Sequence, residues 1–101
     1  RDAINREIPE VVGLEPDQPE WRILVVDDNA NTRLLLNNNL KKVGFAVRDV
    51  ENGDEAVKQF KDWQPHSIWM DLRMPIMDGY EATRLIRTLP GGGAVKIVAA
   101  M

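Results

Sequence analysis

The sequence has no cysteine, a single histidine (His66), and no apolar run near the length of a membrane span. Each absence excludes something. Without cysteine there is neither a disulfide framework nor thiolate chemistry. One histidine is too few for a histidine-rich zinc site. A spanning helix needs about 20 consecutive apolar residues, so no membrane segment is expected within this chain. The first residues are charged and carry no apolar signal region, which points to the cytoplasm rather than to secretion. With a net charge of −3 there is no basic excess to neutralise phosphates, so nucleic acid is not an expected partner.

Apolar residues make up 44% of the 101, enough to bury a core and too many for a disordered chain. The length suits one small domain, or part of one. Charge is unevenly spread. Residues 1–20 hold six acids and two arginines, whereas residues 21–101 hold 10 acids and 11 bases. Three of the six prolines (Pro9, Pro16, Pro19) also fall in the first 20 residues. We read residues 1–20 as an acidic, Pro-containing linker and residues 21–101 as the folded domain.

From Trp21 the pattern becomes periodic. Ile23-Leu24-Val25-Val26 is apolar on both faces and rich in β-branched residues, the signature of a central parallel strand, and Asp27-Asp28 ends it. Asn29 or Asn31 can cap the helix that follows. Its stripe is Leu36, Leu40 and Val43 with Leu35 beside them, its last turn holds Lys41 and Lys42, and Gly44 stops it. Residues 45–50 alternate as a second strand, and Asn52-Gly53 is a turn signal. Ala56, Val57 and Phe60 stripe a second helix. Residues 67–70 form a third strand ended by Asp71. Tyr80, Thr83, Leu85 and Ile86 mark a third helix with Asp78 near its start. Gly91-Gly92-Gly93 reads as a flexible connection, and residues 96–100 as a fourth strand. Strands alternating with helices predict an α/β, doubly wound parallel sheet. In such sheets the ligand site lies beyond the carboxyl ends of the strands, where the strand order reverses.

That rule brings Asp27 and Asp28, ending strand one, to the same edge as Asp71, ending strand three. Three crowded carboxylates repel one another unless a cation compensates. Mg²⁺ suits the task, because it prefers oxygen ligands and takes one or two carboxylates while keeping several waters. A carboxylate beside Mg²⁺ can also attack phosphorus and form an aspartyl phosphate, with the metal offsetting charge on the phosphoryl oxygens. Two acids at one strand end divide the labour between holding the metal and orienting its waters, which leaves Asp71 as the nucleophile. Other residues have plainer readings. Trp69 is expected in the core, Met70, Met74 and Met77 in packing, and His66 on a solvated loop. The Arg73 side chain projects near the pocket mouth or simply into solvent. The triple glycine lacks the Lys-Ser/Thr of a phosphate-binding loop.

The stretches ILVVDDN (23–29), MDLRMPIMDG (70–79) and KIVA (96–99) together resemble the receiver domain of two-component response regulators. The resemblance implies a flavodoxin-like (βα)₅ fold that takes a phosphoryl group from a phosphohistidine on a histidine kinase or phosphotransfer domain. By that resemblance Asp71 is the phosphoacceptor. Asp28 is the direct Mg²⁺ ligand, Asp27 acts largely through water, and the backbone carbonyl of Arg73 completes the protein's share of the shell. Met74-Pro75 and Asp78-Gly79 match the loop that shapes the pocket. Residues 11–29 also resemble the junction after the kinase core in hybrid sensor histidine kinases, whose parent protein can be membrane-associated. A homodimer is compatible with the sequence.

Set against the family, this chain stops after the fourth strand and lacks helix four, strand five and helix five. The lysine that ends strand five has no counterpart, and Met101 falls where the family places a Ser or Thr. The expectation is a fragment that alone would be unstable or would associate. Two other functions stay open: a receiver-fold interaction module that works without phosphorylation, and a Mg²⁺-dependent phosphatase of the haloacid-dehalogenase type. The latter wants a third-position Asp where Asn29 stands.

Overall fold

A computed structural model describes residues 21–74 and 76–100. The expected linker at 1–20, Pro75 of the Met-Pro pair, and Met101 lie outside the described residues. The elements follow in the order β1 (Arg22–Val26), α1 (Ala30–Val43), β2 (Ala46–Val50), α2 (Gly53–Trp63), β3 (Ser67–Asp71), α3 (Gly79–Arg87) and β4 (Lys96–Ala100). All strand pairings are parallel, in the order β2-β1-β3-β4. The chain therefore steps outward from β1 to β2 and then returns to the other side of β1 to lay down β3. The order reverses between β1 and β3, and that is where their carboxyl ends open a crevice.

Each strand-to-helix junction is closed by the same device. Asn29, Asn52 and Asp78 sit at helix N-caps in extended backbone, and their side chains accept from the N–H groups of Thr32 (3.0 Å), Glu55 (2.9 Å) and Asp78's own partner Glu81 (2.9 Å). Each cap satisfies an otherwise orphaned amide of the first turn. The Asn52-Gly53 turn is thus the start of α2. At the far end of α1, Gly44 adopts φ 112°, and its N–H returns to the carbonyls of Leu40 and Lys41. Only glycine takes that conformation without a Cβ penalty.

The core lies on one face of the sheet. Leu24, Val26, Ile68 and Met70 project from β1 and β3 onto Ala56 and Phe60 of α2 and Ala82 and Ile86 of α3, all essentially inaccessible to water. Met74 is buried with them, and Met77 packs against their edge, as expected of packing methionines. The stripe of α3 differs from the expected one. Gly79, Ala82 and Ile86 face inward, while Tyr80 (65% exposed) and Leu85 (37% exposed) face out. Small residues are inward because α3 begins hard against β3, where a Cβ on Gly79 would meet the Asp71 carbonyl.

α1 covers the opposite face, over β1 and β2. Its expected stripe is only partly borne out. Leu36 and Leu40 are half-buried, but Val43 is 38% exposed, Leu35 is 61% exposed, and no residue of α1 is fully buried. Among the described residues no second helix flanks α1 on this face, so its sides stay open, and Trp69 and Val98 on the neighbouring strands remain partly accessible.

Two further expectations need correction. The triple glycine is a hydrogen-bonded turn: the Gly92 N–H donates to the Leu89 carbonyl at 2.8 Å. The Arg87 guanidinium ties the carbonyls of Gly92 and Val95 at 2.7 and 2.8 Å. His66 is not a solvated loop residue. Its ring stacks on Trp21 at 4.5 Å, its Nδ1 accepts the Arg22 N–H at 2.8 Å, and Trp21 Nε1 donates to Ser67 Oγ at 3.3 Å. This clasp closes the amino end of the sheet, remote from the crevice.

Candidate functional site

The carboxyl edge of the sheet gathers the three acids. β1 runs out into Asp27, half-buried, and Asp28, exposed, while β3 ends on Asp71, 9% exposed. One carboxylate oxygen from each lies within 4.8 Å of the others. Together with Asn29, Thr32, Trp69 and Arg73 they line an open cleft of about 570 Å³. Carboxylates this close repel one another, more strongly the less water screens them. The backbone offsets part of this. Asp27 Oδ1 accepts the Asn29 N–H at 2.9 Å, and Asp71 Oδ1 accepts the Arg73 N–H at 2.9 Å. Two neutral amides cannot balance three charges. A compact divalent cation can, and the donor set fits Mg²⁺: oxygen only, one acid in the protein, one half out and one in solvent where metal-bound waters have room.

Residues 23–101 match the response regulator receiver domain as a family. This chain belongs to the receiver-domain family. It is 47% identical over 70 residues to a probable histidine kinase 5 of rice (Oryza sativa), covering 66% of this chain and 6% of that protein. Its fold superimposes with a TM-score of 0.76 on the receiver domain of the sensor histidine kinase PA1611 of Pseudomonas aeruginosa, at 36% identity, over 80% of this chain and 66% of that one. That structure holds a magnesium ion in its active-site cleft. A third similarity is to a co-crystal structure of the yeast (Saccharomyces cerevisiae) histidine phosphotransfer protein Ypd1 with the receiver domain of Ssk1. It has a TM-score of 0.71 at 32% identity, over 80% of this chain and 63% of that one. The flavodoxin-like fold implied by the resemblance is the receiver fold, and the family match sets the phosphatase reading aside. No helix among the described residues is long and apolar enough to cross a membrane.

All four residues singled out from the receiver motifs line the cleft: Asp27, Asp28, Asp71 and Arg73. The Arg73 side chain is exposed, and its backbone is what touches Asp71. Trp69 departs from its core reading. It is half-buried and walls the cleft, although its indole Nε1 is itself buried with no hydrogen-bond partner among the described residues. The signal was available, since Trp69 lies two residues before Asp71 and so shares its face of the strand. Its size and apolarity argued for the core instead. Thr32 and Arg33 gave no signal of their own. Both matter only because the first turn of α1 folds back over the end of β1. There Thr32 reaches the cleft, and Arg33 Nη1 donates to the Asp27 carbonyl at 2.9 Å.

Proposed function

We propose that this receiver domain takes a phosphoryl group from a phosphohistidine onto Asp71, with Mg²⁺ held by the carboxylates of Asp27, Asp28 and Asp71 and by the Arg73 carbonyl. The convergence of three carboxylate oxygens within 4.8 Å, from two strand ends, carries the reading. Asp71 suits the nucleophile. It is the most buried of the three, β3 pairs through to this residue, and the Arg73 N–H fixes Oδ1. That leaves Oδ2 to attack phosphorus. An O–P bond forms, the N–P bond of the phosphohistidine breaks, and its electron pair returns to the imidazole nitrogen, which takes up a proton. Bound Mg²⁺ would offset the charge on the phosphoryl oxygens. Trp69 lines one wall of the cleft. The donor is a histidine kinase or phosphotransfer domain, in the cytoplasm, and the similarity to the rice kinase supports a place within a hybrid histidine kinase.

Intact mass after incubation with Mg²⁺ and acetyl phosphate tests this. Wild type is expected to gain one phosphoryl group, about 80 Da, and Asp71→Asn none. No gain in a folded wild type that binds Mg²⁺ would reduce the domain to an interaction module that works without phosphorylation.

A further inference from the structure

The β1–α1 turn carries two of the three acids. The Asp27 N–H donates to the Val50 carbonyl at 3.2 Å, and the Asn29 cap starts α1. Asp28 is exposed, and among the described residues the Asp27 side chain is tied only to the Asn29 amide two residues on. Arg33 adds a side-chain anchor from one turn along α1. Four residues after the N-cap, it lies one helical turn along α1, and its side chain is only 19% exposed. Nη1 donates to the backbone carbonyl of Asp27 at 2.9 Å, and Nε lies 3.7 Å from Asp49 Oδ1. Asp49 stands on β2, level with Val25 of β1, and its second oxygen accepts from Asn37 Nδ2 of α1 at 2.7 Å. One guanidinium thus bridges the end of β1, the first turns of α1 and the adjacent strand. An arginine serving only as surface charge would extend into water.

We infer that Arg33, braced by Asp49, is a positioning residue that holds the β1–α1 turn so that the Asp27 and Asp28 carboxylates stand at metal-binding distance from Asp71. The inference rests on the Mg²⁺ site proposed above. It has a sign that distinguishes it from simple electrostatics. Removing a cation beside a cation site strengthens metal binding by Coulomb's law. Removing a brace weakens it, and outer supports of metal ligands typically contribute about 10–100-fold in affinity.

Calorimetric titration of the chain with MgCl₂ reads the difference, alongside hydrogen exchange at the Asn29 amide, which donates to Asp27 Oδ1. Arg33→Met is expected to bind Mg²⁺ about tenfold more weakly and to exchange the Asn29 amide faster. Arg33→Lys, which keeps the charge but loses the planar fork that spans the Asp27 carbonyl and Asp49, should fall between it and wild type. Affinity that is unchanged or tighter in Arg33→Met overturns the inference. Should Arg33→Met not fold, Arg33→Lys decides, because wild-type affinity in a charge-conserving variant leaves no role for the fork. Failure of wild type to bind Mg²⁺ at all would instead refute the site on which the inference rests.

Discussion

Adding one methyl group at Gly79 should unfold this domain more readily, and adding the same group at Gly93 should not. Gly79 opens α3 directly against Asp71, the end of β3. A Cβ there would collide with the Asp71 carbonyl and lie 2.8 Å from the Leu72 Cα, both backbone atoms that no rotamer change can move. Carbon atoms settle at about 3.5–4.0 Å, so α3 and β3 must part by about 0.7–1.2 Å. Overpacking of that kind costs about 1–3 kcal/mol. With a urea slope of about 1 kcal/mol/M for a small domain, the unfolding midpoint of Gly79→Ala falls by about 1–3 M. Gly93 is the control. A Cβ there meets nothing within 4 Å, and the backbone is not left-handed. Gly93→Ala should stabilise by about 0.4–1 kcal/mol through the unfolded chain alone, raising the midpoint. Urea titrations followed by circular dichroism read both. Wild-type behaviour of Gly79→Ala would refute the close approach of α3 to β3. Because the collision is with Asp71 itself, phosphoryl uptake should fall in the same variant even in the absence of urea.

Burial, and then the neighbouring Arg22 charge, lower the pKa of His66 below its ordinary 6.5, and Nδ1 serves as an acceptor only while unprotonated. The neutral form is the one the fold prefers, so the stability it contributes is present above pH 6.5 and is lost as pH falls from there through the lower folded pKa. Unfolding midpoints measured between about pH 7.5 and 5.5 should drop on acidification in wild type and change less in His66→Gln. Equal slopes in the two proteins would show that the clasp does not sense protonation. Arg87→Met should cost about 1–3 kcal/mol, because it strips the donor from the carbonyls of Gly92 and Val95. Thermal melts check this, and a change within error would mean that the glycine turn holds its shape without the guanidinium.

Much of this protein was legible one residue at a time. The apolar run of β1, a cap at Asn29 or Asn31, Asp78 near the start of α3, the stop at Gly44 and the aspartates ending β1 and β3 are local signals, set by backbone sterics, capping and side-chain alternation. Their order was enough to place the three acids at one edge, since parallel strands joined by right-handed crossovers leave little choice. Other expectations fail because packing between elements decides them. Tyr80 and Leu85 belong to the helical pattern, yet with Gly79 held against the Asp71 carbonyl, α3 buries Ala82 beside Ile86 and leaves those two exposed. Trp69, expected in the core, lines the cleft with Asp71, whose face of β3 it shares.

The sequence by itself thus determined which acids meet and which sheet edge presents them, because strand period and crossover hand are properties of the L-polypeptide. Only the tertiary structure decided how closely those residues stand and what steadies them. The 4.8 Å gathering of the acids, the reach of Arg33 to the Asp27 carbonyl and Asp49, and the clasp of His66 on Trp21 join segments distant in the chain or on different elements. Such contacts depend on packing distances between elements, and no periodicity along the chain encodes those.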